Sequence, residues 1–251
     1  MREQLIQTIE RHRADWCAER GQKSLWRTPL VGFADAGAPG FAALRQVVDA
    51  SHFLPTDFLP EATIVVSYFL PFSRELADTN RREGATSPEW AEAYLTTNQL
   101  AIWLNDRLVE DLQAWGIRAA VPQGTGILSQ ERLWSRWSQR HVAYLAGLGT
   151  FGRNNLLISH AGSCGRYFSI VTDWKGIPDR PSTAEACLWK RDGSCGLCAA
   201  RCPVHALGAD GFDRHACFAV CMGNEARYPG ADVCGKCDVG LPCSFGIPAG
   251  L

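Results

Sequence analysis

The stretch Asp192–Leu207, DGSCGLCAARCPVHAL, decides how the rest of the chain is read. The bacterial iron–sulfur ligand run is Cys-x2-Cys-x2-Cys-x3-Cys-Pro, and its last three sites coincide here with Cys195, Cys198 and Cys202-Pro203. The first site holds Asp192 in place of cysteine. Soft thiolate suits iron, and a Cys-x2-Cys turn lets two sulfurs and the neighbouring N–H groups face one inorganic core.

In two-cluster ferredoxins the cysteine before proline crosses to the other cluster. Applied here, Cys195 and Cys198 belong to a first cluster and Cys202 to a second. Downstream, FDRHACFAVC offers Cys217 or Cys221, and VCGKCDVGLPCSF offers Cys234, Cys237 and Cys243. Cys202, Cys217, Cys234 and Cys237 make one complete set, while Cys243 crosses back to Cys195 and Cys198. The first set then lacks one ligand, for which Cys187, Cys221 and Asp192 compete. Cys187 is favoured, because LWKRDGS between it and Cys195 is long enough to fold back. An oxygen ligand at Asp192 would mark a labile iron, and a three-iron cluster is a further option. Zinc held in two four-cysteine knuckles uses the same spacing and would make the region a binding module; the three-residue gap before Cys-Pro favours iron–sulfur.

Nine of the eleven cysteines lie between Cys187 and Cys243, and the other two, Cys17 and Cys164, read as plain buried thiols. With 251 residues, 46% of them hydrophobic, the chain can bury a full core. Its 25 basic and 26 acidic residues are mixed along the sequence, so no nucleic-acid-binding arm or stripe stands out. The start, MREQLIQTIERHRADWCAERG, reads as a helix ended by Gly21 rather than a signal peptide, and no apolar run approaches the roughly 20 residues of a membrane span. The expected location is the cytoplasm, where a disulfide framework is not the default reading of many cysteines.

Residues 1–175 carry the punctuation of a layered α/β (α+β) domain. EATIVVSYFLPF (Glu61–Phe72) reads as a buried strand. Ser87-Pro88-Glu89 supplies an N-cap, a first-turn proline and an acid, opening a long helix that runs to Gly116. IRAAVPQ is expected as a short strand and ERLWSRWSQRHVAYLAG as a second helix, followed by NNLLIS and YFSIVTD as strands forming a hairpin around HAGSCGR. Residues 176–251, rich in Cys, Gly and Pro, form a second unit whose clusters would serve as its core.

AGLGTFGRNNLLI (Ala146–Ile158) contains Gly147, Gly149 and Gly152 in G-x-G-x-x-G spacing. A dinucleotide loop needs a strand before and a helix after; here an amphipathic segment precedes and a strand follows, so that reading fails. The plain alternative is a helix end packed against a sheet. Continued through SHAGSCGRYFSIVTDW and into the ferredoxin run, the segment resembles the epoxyqueuosine reductase and reductive dehalogenase superfamily. The matching residues are Ala146-Gly147-Leu148-Gly149, Gly152-Arg153-Asn154, Leu156-Leu157-Ile158 and Thr172-Asp173.

The resemblance implies a nitroreductase-like domain that cradles a corrinoid, cobalamin, and a ferredoxin-like module with two [4Fe-4S] clusters that feeds it electrons for reduction of a small substrate or cofactor. It implies Gly147, Leu148, Gly149, Gly152, Arg153 and Asn154 as cofactor-binding, and an electron donor such as ferredoxin or flavodoxin. A non-catalytic electron carrier or corrinoid-reducing partner protein is the alternative. The chain departs from the pattern where epoxyqueuosine reductases carry an aspartate proton donor: between Gly116 and Gly149 the only acid is Glu131. Glu131, His141 and Tyr94 are the substitutes considered. No D-x-H-x-x-G corrinoid signature is present, and the balanced charge, with the chain stopping just after the cluster region, argues against tRNA as substrate.

Overall fold

The computed structural model describes residues 1–127, 129–209 and 211–249. A four-stranded antiparallel sheet holds the centre, in the order β1 (Leu30–Asp35), β2 (Ile64–Pro71), β6 (Gly165–Thr172), β3 (Ala119–Ala120). Strand β2 is buried at every residue because helices cover both faces of the sheet. Its alternate side chains divide accordingly. Ile64, Val66, Tyr68 and Leu70 join Leu5, Ile9 and Trp16 of α1 (Arg2–Glu19) and Leu100, Leu104 and Leu108 of α4 (Pro88–Ala114) in the main core. Val65 faces the other way, with Phe41 and Leu44 of α2 (Pro39–Val47) and Val142 of α5 (Gln139–Leu145). Burying each such side chain contributes roughly 1.5–3 kcal/mol. Cys17 and Cys164 lie in the main core, as plain buried thiols should.

Helix α4 starts where the sequence places it: the Ser87 hydroxyl accepts from the Trp90 N–H at 3.2 Å, satisfying one of the orphan donors of the first turn. Three other expectations are corrected. IRAAVPQ yields only the two-residue β3, paired to Val171 and Thr172. ERLWSRWSQRHVAYLAG is helical only over α5. Before it, Phe53 N–H donates to Arg136 O and Trp137 N–H to Gly124 O, so those backbone groups are used in cross-loop bonds that a helix would need for itself. Trp137 is fully buried and donates through Nε1 to Ser169 Oγ at 3.0 Å.

The expected hairpin around HAGSCGR is also absent. Strand β5 (Leu157–Ile158) pairs instead with β4 (Thr150–Phe151), and β6 pairs along its whole length with β2. The intervening loop is held elsewhere: Ser163 N–H donates to Cys243 O and Cys164 N–H to Ser244 O.

Beyond Thr172 an extended stretch leads to three helices, α6 (Leu188–Asp192), α7 (Leu197–Ala200) and α8 (Arg214–Arg227), joined by turns. Few apolar side chains support them; polar bonds and close backbone approach hold them to the sheet body. Asn80 Nδ2 donates to Cys234 O at 2.9 Å, Asn154 Nδ2 to Cys237 O at 2.7 Å, and the buried Lys236 Nζ to Asn80 O and Arg82 O at 3.1 and 2.7 Å. A Cβ at Gly235 would lie 2.4 Å from the Trp90 indole, so the Cys234–Cys237 turn presses directly on α4.

Candidate functional site

The nine clustered cysteines sort into two groups in space. Cys187, Cys195, Cys198 and Cys243 line one small hollow. Cys202, Cys217, Cys221, Cys234 and Cys237 line the wall of a separate cavity of about 660 Å³. Chain order alone would not produce this partition, since Cys202 leaves its neighbours Cys195 and Cys198, and Cys243 leaves Cys237.

Of the three competitors for the missing ligand, only Cys187 borders the small hollow. Cys221 borders the cavity, one helical turn from Cys217 on α8. Asp192 is exposed and folded onto its own turn, accepting from Ser194 N–H and Arg191 Nε, both at 3.0 Å, and these bonds pull its carboxyl down to about 2.

Each hollow also presents a buried donor without a partner among the described residues. At the small one this is Nε of Arg153, whose guanidinium stacks 4.5 Å from the Trp189 ring and donates to Leu207 O and Gly208 O at 3.3 and 3.2 Å. At the cavity they are Arg166 Nε and Trp134 Nε1. Orphaned buried donors beside a ring of thiols fit an electron-rich occupant. Among the described residues no three His, Cys, Asp or Glu side chains stand close enough together to hold a single metal ion.

The cavity lies between the start of α4, α5, the beginning of β6 and α8. Tyr94 points its hydroxyl at Asp232, to which it donates a short hydrogen bond, and Arg166 covers its ring at 4.2 Å. Burial raises the phenol's pKa; Arg166 works against this and Asp232 with it. His141 shares its Nδ1 with Ser138 Oγ at 2.7 Å and is pushed down to about 4, chiefly by burial, then by repulsion from Arg140. Asp238, buried behind the cysteines, accepts from Ser163 Oγ at 2.6 Å, and burial pushes its carboxyl up to about 7. Glu131 is exposed and lines neither hollow.

The glycine-rich segment is placed differently from the cradle that the resemblance implies. Gly147 takes φ +74°, and a Cβ there would meet Arg180 O at 2.6 Å; at Gly149 it would meet Ile158 O at 2.2 Å. Leu148 is buried against Phe69, Ala143 and Leu157. These three pack the end of α5 and border neither hollow; the tight turn and close backbone approach account for the glycines. Gly152 and Arg153 border the small hollow, and Asn154 alone of the six reaches both.

Sequence reading missed Arg140, Arg166, Arg214 and Asp232 as cavity residues. The available signal was Arg166, a charged residue opening the otherwise apolar strand β6.

The chain shares its fold with solved epoxyqueuosine reductases and reductive dehalogenases. The epoxyqueuosine reductase of Bacillus subtilis superposes with a TM-score of 0.53 at 17% identity, covering 97% of this chain and 67% of that one. An epoxyqueuosine reductase holding an epoxyqueuosine-modified tRNA-Tyr stem loop gives 0.55 at 17%, with the same coverage. A reductive dehalogenase described with a mechanism for B12-dependent dehalogenation gives 0.55 at 16%, covering 88% of this chain and 30% of that one. No protein-family model and no curated protein sequence matches the chain. Among the described residues no helix is long and apolar enough to cross a membrane.

Proposed function

We propose that this protein is an iron–sulfur oxidoreductase whose two clusters are held by Cys187, Cys195, Cys198 and Cys243, and by Cys202, Cys217, Cys234 and Cys237, with substrate reduced in the cavity beside the second set. The observation that carries this reading is the crossed partition of the cysteines between two hollows, the pattern the ferredoxin ligand logic requires. Zinc in two four-cysteine knuckles is the other reading of this spacing; the three-residue gap before Cys202-Pro203 favours iron–sulfur.

A corrinoid, if bound, would face the cavity, whose wall carries the aromatic faces of Trp90, Tyr94 and Phe151 and polar groups including Asn154 and Arg166. Clusters held by the two cysteine sets would supply single electrons, and a corrinoid in the cavity would supply low-potential reduction of the substrate. The chain's own residues orient and protonate. Tyr94 holds a proton at Oη on the cavity wall, with Asp232 fixing the hydroxyl's direction and Arg166 ready to stabilise the phenolate once the proton leaves. His141, neutral at pH 7, is poorly suited as the acid and serves as a hydrogen-bonding wall residue. Asn154 ties the second cysteine turn to the segment that borders the first hollow.

The test is anaerobic reconstitution with iron and sulfide, followed by metal analysis, EPR after reduction, and cobalamin titration. Two clusters per chain and a cobalamin-dependent spectral change support the reading. Clusters without any response to cobalamin reduce it to an electron carrier or corrinoid-reducing partner. A colourless, iron-free protein after reconstitution overturns it.

A further inference from the structure

The cavity wall carries three guanidinium groups, those of Arg140, Arg166 and Arg214. They come from three separate elements: α5, the beginning of β6, and the start of α8. All three line the same cavity, Arg140 and Arg214 at its exposed rim and Arg166 half-buried deeper in. Among the described residues none of the three is in an ion pair. The two carboxylates on the same wall are already engaged, Asp232 by Tyr94 and Asp238 by Ser163. Arg140 has one bond, to Asn155 O at 2.6 Å, and Arg166 keeps a buried Nε without a partner, as does the Trp134 indole. The wall therefore carries guanidinium and indole donors that no described carboxylate takes up.

We propose that the cavity is built for an oxyanion: the molecule reduced there is a small organic compound bearing a carboxylate or phosphate group, gripped by Arg140, Arg166 and Arg214. This deepens the reductase reading and rests on it, because it names the class of substrate for the same chamber. The guanidinium fork presents paired N–H donors that match the two oxygens of either group, and Arg166 lies over Tyr94, so an anion held there sits beside the proton source.

The experiment uses the anaerobically reconstituted full chain and calorimetric titration with benzoate, phenyl phosphate, and neutral benzamide as the shape control. Benzoate or phenyl phosphate should bind at least about tenfold more tightly than benzamide, with affinity falling as salt rises. The relative strength of the two anions tells carboxylate from phosphate. Arg166→Gln and Arg214→Gln should each weaken anion binding by about tenfold or more while leaving benzamide unchanged. Arg140→Lys, which keeps the charge but loses the fork, should retain part of it.

Iron content and thermal unfolding are measured on every sample. Folded, iron-loaded protein that binds benzamide as tightly as both anions, or whose anion affinity survives the two Arg→Gln changes, overturns the proposal. Anion binding that persists in a chain unable to take up iron upholds the oxyanion site and sinks the cluster reading instead.

Discussion

The sheet body and the cysteine-rich tail are held together by different physics. In the body, helices on both faces of β2 and β6 bury large side chains, with Phe33, Tyr68, Leu100 and Leu104 fully enclosed. Among the described residues the tail contributes Val239 to the main core and otherwise joins two small apolar groups, Ala186 and Cys187 with Ile158 of β5, and Cys198, Leu207 and Leu241. Both small groups contain cysteines of the proposed cluster sets. Hydrophobic burial dominates in the body; the tail relies on hydrogen bonds to that body and, in this reading, on iron. The cavity lies where the two meet, between α4, α5 and β6 on one side and the cysteine-bearing wall of the tail on the other.

The sharpest way to break the contrast is through the thiols. Cys187→Ala or Cys198→Ala should each remove one cluster, about half the iron, from anaerobically reconstituted protein, while Asp192→Ala should leave iron content unchanged. Iron lost in Asp192→Ala but retained in Cys187→Ala would reassign the first ligand set. On α8, one of Cys217→Ala and Cys221→Ala should be silent; if Cys217→Ala is the silent one, Cys221 takes its place in the second set.

A change at the junction should affect turnover without touching the metal. Tyr94→Phe removes the proton and spares the packing, so turnover with any accepted substrate should fall by about 100-fold or more at constant iron. Unaltered turnover would remove Tyr94 from the mechanism. In the body, Trp137→Ala empties a fully enclosed site and strands Ser169; chemical denaturation should show a loss of about 3–5 kcal/mol. A loss under 1 kcal/mol would mean that the layer beneath α2 and α5 repacks freely.

The smallest effect is a pH dependence. His141 is held near 4 in the folded protein against an ordinary value of about 6.5, so between those values the unfolded chain binds more protons than the folded one. Stability from this group is fully present above about pH 6.5 and is lost as pH falls toward 4, by roughly 2 kcal/mol. Denaturation curves at pH 7.5 and 5 should separate accordingly in the wild type and less so in His141→Gln. Equal pH dependence in both would assign the effect to other groups.

Much of the frame was legible before folding was considered. Ser87-Pro88-Glu89 marks the start of α4 because capping is local chemistry, and the unbroken apolar run of β2 marks a strand covered on both sides. The elements that failed are those decided at a distance. ERLWSRW loses its helix because Gly124 and Phe53 claim its backbone, and HAGSCGR loses its hairpin because Cys243 and Ser244 do. At the site, Tyr94 and His141 reach the cavity, while Glu131, drawn from an acid count over one segment, remains outside. Gly147 and Gly149 mark a close approach of backbone to backbone, and sequence spacing cannot tell this from a close approach to a ligand.

By itself the sequence determined that nine thiols cluster toward one end with ferredoxin-like spacing, because ligand geometry around a small core is written in short intervals along the chain. Only the tertiary structure decided that Cys187 and not Asp192 joins the first group, and that three arginines from distant elements share one chamber. Those outcomes depend on which backbone groups and charges meet between segments apart in the chain, in an assembly fixed by burial of the sheet's two faces.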